Sequence, residues 1–103
     1  MVRHGWYGGV YLEDDERERV RRELAEELGC VPSTVFTRDE LVKELRERLR
    51  SEGVPERILD YIDYDAMIGD MMQSGDLGRE TVEVGGEKVE VYWFTYECEE
   101  APA

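Results

Sequence analysis

The sequence predicts an α+β fold, in which three to four short helices pack on a small, mainly antiparallel sheet that ends in a C-terminal β-hairpin. Three observations predict it. Apolar residues recur every three or four positions up to about Gln73, they alternate with polar residues beyond Leu77, and Gly85-Gly86 divides the alternating stretch. A chain of 103 residues can build one core, so we expect a single domain over residues 1–103.

The chain opens with a segment rich in glycine and aromatic residues, Gly5–Leu12. This composition is typical of a short β element with close backbone contacts, or of a loop. Asp14 or Asp15 is then expected to cap a first helix, whose apolar residues are spaced by four. Gly29 is expected to end this helix.

Three further helices are predicted from capping signals. The pattern Thr37-x-x-Glu40 is a capping box and precedes an apolar helical stripe. Pro55 is suited to begin a short third helix. Asp63 is expected to cap a fourth, which runs to about Gln73.

The hairpin is predicted from two alternating runs, 80–84 and 88–96, on either side of Gly85-Gly86. Val89, Val91 and Trp93 share one face of the second run, and the other face becomes aromatic after Glu90. We expect a helix or a partner to cover the aromatic face in part. The tail from Glu97 onward is expected to be frayed.

Charge is distributed unevenly along the chain. Residues 1–52 contain thirteen acids and ten bases, whereas residues 53–103 contain thirteen acids and only Arg57, Arg79 and Lys88. We therefore divide the domain into a mixed-charge helical part, 1–52, and a strongly acidic part, 53–103, whose carboxylates lack counter-charges. Such a surface repels nucleic acid and attracts proteins that bind it.

The residues give little support for catalysis. No phosphate-binding loop, nucleophile elbow or Cys/His pair is present, so we predict no enzyme, no catalytic residues and no cofactor. Two cysteines and the lone His4 are too few for a zinc site, and the aspartates around Asp63 lack the glycine and closing glutamate of a calcium loop. No metal site is predicted, although a small enzyme that uses clustered acids with a divalent metal stays as an alternative.

The cysteines favour a reducing compartment. Cys30 and Cys98 lie far apart and form no Cys-x-x-Cys motif, so two free thiols are expected, while a single disulfide between the helical half and the last strand stays open. No apolar run is long enough to span a membrane and the polar N-terminus differs from a signal peptide. We expect a protein of the cytoplasm of a bacterial or archaeal cell.

The segment Ile62–Met71 resembles a motif in the C-terminal region of ArdA-type antirestriction proteins. The matching positions are Asp63, Tyr64, Asp65, Ala66, Asp70 and Met71, while Gly69 stands where the family has an arginine. The resemblance covers about a quarter of the chain. It implies a protein that imitates DNA, forms dimers and occupies the DNA-binding groove of Type I restriction-modification enzymes.

We therefore predict a non-catalytic inhibitor of a host defence nuclease system, either anti-restriction or anti-CRISPR. Its acidic surface would bind the basic nucleic-acid site of its target protein. The expected phosphate mimics are Asp60, Asp63, Asp65, Asp70, Asp76, Glu80, Glu83 and Glu87. Four aromatic residues, Tyr64, Tyr92, Phe94 and Tyr96, are candidate contacts with the target or a second subunit, and core packing is an equal alternative for each.

The predicted partner is thus a host defence protein, such as a restriction-modification or CRISPR effector subunit, with no direct contact to nucleic acid or membrane. A homodimer is compatible with this prediction. The alternative function is an acidic protein-interaction or accessory domain that binds through the hairpin aromatics without imitating DNA. In the simplest alternative, the acids only keep the surface solvated.

Overall fold

A computed structural model describes residues 3–4 and 10–100, with the side chains of residues 11–99. The elements in order are β1 (Arg3–His4), β2 (Val10–Tyr11), α1 (Asp14–Leu28), β3 (Cys30–Pro32), α2 (Arg38–Ser51), α3 (Glu56–Leu59), α4 (Tyr64–Ser74), β4 (Leu77–Val84), β5 (Glu87–Phe94), a 3₁₀ turn (Thr95–Glu97) and β6 (Cys98–Glu100).

The strands pair antiparallel in twos: β1 with β2, β3 with β6 and β4 with β5. The predicted α+β class is therefore confirmed, with the small sheet divided into separate pairs. Gly5–Gly9, which belong to the predicted N-terminal β element, lie outside the described residues. None of the helices in the described part is long and apolar enough to cross a membrane.

Two of the predicted helix caps are confirmed by hydrogen bonds. The backbone N–H of Glu40 donates to Thr37 Oγ1 at 3.3 Å, and the Glu40 carboxylate accepts in return from the Thr37 N–H at 2.9 Å. The N–H of Ala66 donates to Asp63 Oδ1 at 3.1 Å. Each bond satisfies a donor that a helix N-terminus would otherwise leave open.

The first helix begins one residue earlier than predicted. Glu13, rather than Asp14 or Asp15, is the N-cap residue. The Glu13 N–H donates to Glu16 Oε1 at 3.0 Å. The carboxylate three residues later in the chain thus accepts the hydrogen bond from the N-cap residue. Gly29 ends the helix in a left-handed conformation, as expected.

The predicted hairpin is present and its strands are eight residues each, in unbroken antiparallel register. Gly85 and Gly86 form the turn with φ of 59° and 83°. A two-residue turn with positive φ at both positions matches the twist of the flanking strands, and glycine adopts it without steric cost. The first strand begins at Leu77, three residues before the predicted run.

Helices pack on both faces of β5, while the middle of β4 stays exposed. On one face, Val89, Val91 and Trp93 pack with residues from α1 and the segments on either side of it: Leu12, Val20, Leu24 and Val35, together with Val84. On the other face, Tyr92 and Phe94 pack with residues from α2, α4 and the start of β4: Leu41, Leu45, Ile68 and Leu77. The hairpin is thus the central layer of the domain.

The C-terminal segment is ordered by pairing. Residues 98–100 form β6 against β3, so the prediction that the tail frays from Glu97 is wrong for this segment. The cysteines are also bridged: Cys30 and Cys98 form a disulfide between the two strands, with Cα atoms 5.7 Å apart. The expectation of two free thiols is therefore wrong, because the fold brings together strands that are 68 positions apart in sequence.

Candidate protein-interaction surface

Two of the four candidate aromatic contacts belong to the core. Tyr92 and Phe94 are 0% and 2% exposed because α2 and α4 cover their face of β5. Neither side chain can reach a partner in this fold, so the prediction that they bind one is wrong. The expected covering of this face is provided by the helices of the chain itself.

The other two aromatic candidates differ from each other. Tyr64 is half-buried against the α2–α4 side of the core, and its hydroxyl donates to the Leu59 carbonyl at 2.8 Å. Tyr96 is 60% exposed beside the Phe94 ring. The most exposed aromatic side chain of the described part is Tyr61, at 89%, directly after α3.

The acids of the second half were expected to lack counter-charges, and this is wrong for Asp60 and Asp65. Arg46 Nη2 lies 2.5 Å from Asp60 Oδ1, and Arg38 forms an ion pair with Asp65. In both pairs the hydrogen bond to the carboxylate raises the pKa of the arginine. The bases come from α2, whose arginines face α3 and the start of α4.

Two further arginines of α2 neutralise acids of the second half. Arg48 Nη2 lies 2.7 Å from Glu97 Oε1, and its guanidinium lies 4.1 Å from the centroid of the Phe94 ring. Arg50 pairs with Glu56. The mixed-charge face of α2 is therefore an internal counter-charge for the acidic half of the chain.

The remaining predicted acids stay exposed. Asp63 caps α4, and Asp76 accepts a hydrogen bond from Ser74 Oγ at 2.9 Å. Asp70, Glu80 and Glu83 form no ion pair with another residue of the described part. Glu87 lies at the end of the hairpin, opposite Val84. All six side chains are exposed.

A groove of about 240 Å³ lies between α1 and β4. Four glutamates line it, two from the helix and two from the strand: Glu23, Glu27, Glu80 and Glu83. Leu24, Thr81 and Val82 complete the lining. We call this feature the α1–β4 groove. Its lining includes two of the predicted acids and two from the mixed-charge helical part of the chain.

The signal for the helical pair was present in the sequence. Glu23 and Glu27 are four residues apart and therefore lie on one side of a helix. Among the described residues, Arg19 alone forms an ion pair with Glu23, at 3.6 Å. What the sequence did not indicate is that this side of α1 adjoins β4, since that contact depends on the tertiary fold.

A larger cavity, of about 450 Å³, lies between α1 and α2. Arg17 and Glu40 line it and form an ion pair at 2.5 Å. Arg17 also donates to the carbonyls of Leu12 and Val35, so its guanidinium is fully engaged in structure. No group of three or more His, Cys, Asp or Glu in the described part of the chain is arranged to hold a metal ion.

Comparison with known proteins gave no match to a protein-family model, a curated protein or a solved structure.

Proposed function

We propose that this chain is a non-catalytic inhibitor of a host defence nuclease system, of the anti-restriction or anti-CRISPR type. It binds the basic nucleic-acid site of its target protein and excludes the nucleic acid from it. Negative potential on the inhibitor steers it toward the basic site and makes the association sensitive to salt.

The proposal is supported by the ion pairs that the arginines of the chain form with its own carboxylates. The formal net charge is −13. Arg17, Arg38, Arg46, Arg48 and Arg50 are all engaged with carboxylates of the chain itself. Part of the excess of negative charge lies on exposed acids of α4, β4 and the hairpin turn.

The mimic surface that we propose is narrower than the set expected from the sequence. It consists of Asp70, Asp76, Glu80, Glu83 and Glu87, with Asp63 in a double role as a helix cap. Asp60 and Asp65 contribute less because an arginine lies against each of them. Tyr61 and Tyr96 replace Tyr92 and Phe94 as aromatic contacts, because they are exposed.

The resemblance to ArdA-type proteins is compatible with this proposal and also has a structural component. Asp63 is the N-cap of α4, and the Tyr64 hydroxyl bonds to the preceding helix. Part of the motif therefore specifies how a helix begins. Among the matching acids, Asp70 is exposed and, within the described residues, neither caps a helix nor forms an ion pair, unlike Asp63 and Asp65.

The proposal is tested by competition for DNA. A purified Type I methyltransferase and a purified CRISPR effector are each bound to fluorescent DNA, and the chain is titrated in while anisotropy is recorded at two salt concentrations. Displacement at low salt that weakens at high salt supports the proposal. Failure to displace DNA from either protein at any salt concentration would reject it for these two target classes.

A second function is favoured by one specific observation. Tyr61 is 89% exposed and Ile58 is 46% exposed, three positions apart on one side of the α3 turn. Exposed aromatic and aliphatic groups of this kind anchor protein interfaces. In this alternative the chain is an accessory interaction domain, and Tyr61→Ala weakens partner binding more than reversal of the acids does.

We place the proposed activity in the cytoplasm, where the target nucleases act. The Cys30–Cys98 disulfide bears on this point, because thiols of most cytosolic proteins are kept reduced. Inhibition by a Cys30→Ser/Cys98→Ser variant would show that the active surface does not require the bridge. Loss of inhibition in that variant, with the fold retained, would count against a reducing compartment.

A further inference from the structure

The outer edge of the hairpin is open at β4. Within the described residues, the backbone of Leu77–Val84 pairs with β5 alone. The opposite edge of the hairpin is partly closed, because Phe36 and Tyr92 exchange two backbone hydrogen bonds of 2.8 Å. An open strand edge presents N–H and C=O groups in a row, and an extended chain can add to it as a further strand.

The α1–β4 groove lies beside this strand. Glu23 and Glu27 of the helix and Glu80 of the strand line it, and Glu83 follows on the same strand with its side chain on the opposite face. The carbonyl oxygen of Glu83 already accepts a hydrogen bond from Arg19 Nη2 at 3.0 Å. An arginine of the chain itself therefore already binds a backbone carbonyl of this strand.

The negative charge of the groove indicates which kind of molecule can bind there. A formal net charge of −13 opposes the pairing of a second copy through the same edge. A nucleic-acid backbone is repelled for the same reason. An extended segment with Lys or Arg at alternate positions places its cations on one side, where they meet Glu80 and the glutamates of α1.

We infer that the α1–β4 groove binds an extended, Lys/Arg-rich segment of a partner protein, which adds to β4 as a third strand. The inference rests on the proposed function in that the partner is a basic protein. Beyond the proposed function, the inference specifies which surface of this chain binds the partner and that the bound segment of the partner is extended. Acids on an edge strand can also serve only to prevent aggregation, and the experiment below separates these roles.

The probe is a synthetic peptide of alternating lysine and threonine, long enough to pair with all of β4. It is titrated into the full, ¹⁵N-labelled chain, and amide shifts and amide hydrogen exchange are recorded. We expect shifts centred on residues 77–84 and slower exchange of β4 amides that point away from β5. The control is the same peptide with alternate backbone nitrogens methylated. It keeps its charge but loses the backbone N–H groups that would donate hydrogen bonds to β4, so it should not slow the exchange of the β4 amides.

Two protein variants with equal change in charge locate the site. Glu80→Lys/Glu83→Lys should weaken peptide binding by roughly tenfold or more, since it reverses the charges on the strand. Asp70→Lys/Glu52→Lys should weaken it much less. If the lysine variant does not fold, Glu80→Gln/Glu83→Gln replaces it, with Asp70→Asn/Glu52→Gln as its control.

Equal binding of the methylated peptide, or equal weakening by both variants, would overturn strand addition and leave a diffuse attraction between charges. DNA displacement in the competition assay would then still support the proposed function, at another surface. Conversely, strand addition without any DNA displacement would support the groove as a site and reject a nuclease as its target.

Discussion

Arg46 of α2 and Asp60 after α3 form an ion pair in which Nη2 lies 2.5 Å from Oδ1. The pair joins the mixed-charge part of the chain to the acidic part. Arg46 also contacts Glu56, at 3.2 Å, so one base offsets two acids. The arginines of α2 thus offset part of the negative charge on α3 and α4. Negative charge that no arginine of α2 offsets lies on β4 and at the hairpin turn.

Replacement of Arg46 by Gln should strengthen binding to basic proteins. It frees Asp60, while Glu56 keeps Arg50 as its partner, and the net charge becomes more negative by one. The melting temperature should change little, because exposed ion pairs contribute little to stability. Binding of the DNA-competition target at low salt measures the effect. Arg22→Gln, which has the same charge change on an exposed part of α1, is the control, and equal strengthening by both variants would contradict a local role for Asp60.

Replacement of Asp63 separates its two roles. Asp63→Asn keeps an oxygen that caps α4 and removes the charge, so the free energy of unfolding should stay within a few tenths of a kcal/mol. Asp63→Ala removes the cap and should cost about 1 kcal/mol. Urea unfolding followed by circular dichroism measures both. Equal destabilisation by the two substitutions would mean that the charge, rather than the hydrogen bond to Ala66, stabilises the helix.

The packing of Trp93 on Gly78 makes a prediction about the core. The indole lies so close to Gly78 that a Cβ at this position would overlap it. Gly78→Ala should therefore destabilise the domain by about 1–3 kcal/mol, since the hairpin or the indole must shift.

Gly69→Ala is the matched control for Gly78→Ala. Gly69 lies within α4, and a Cβ there meets no atom within 4 Å. This substitution should stabilise the domain by about 0.5–1 kcal/mol, because alanine favours the helix. Opposite signs in denaturant unfolding confirm the account of the core. Destabilisation by both substitutions to the same extent would contradict it.

The disulfide should contribute substantially to stability. Cys30→Ser/Cys98→Ser should lower the free energy of unfolding by about 2–4 kcal/mol, because the bridge restricts the unfolded chain and holds β6 on β3. A reducing agent should lower the melting temperature of the unmodified chain to a similar degree and leave the double variant unchanged. An unmodified chain that does not respond to reduction would show that the cysteines are not bridged in solution.

Local signals in the sequence predicted the elements well. Thr37 and Asp63 cap their helices, and Gly85-Gly86 forms the hairpin turn, because each depends on neighbours within a few residues. Tyr92 could not be assigned in this way. Alternation places it on one face of a strand, and only the packing of α2 and α4 shows that this face is buried.

Charges were predicted less well for the same reason. A count along the chain shows few bases after residue 52, whereas Arg38 and Arg46 reach Asp65 and Asp60 across the fold. The α1–β4 groove also joins glutamates that are more than fifty positions apart. Salt bridges, grooves and the Cys30–Cys98 bridge depend on tertiary contacts, which periodicity does not reveal.

The central claim is that exposed acids of the second half replace nucleic acid at a basic protein site. The most direct measurement is displacement of fluorescent DNA from a purified Type I methyltransferase by the chain and by the variant Asp70→Asn/Glu80→Gln/Glu83→Gln. The control variant, Asp14→Asn/Glu26→Gln/Glu52→Gln, loses the same number of charges elsewhere. We expect displacement by the unmodified chain and the control, greatly reduced displacement by the first variant, and a steep decline with salt. Equal displacement by all three proteins, independent of salt, would contradict the claim.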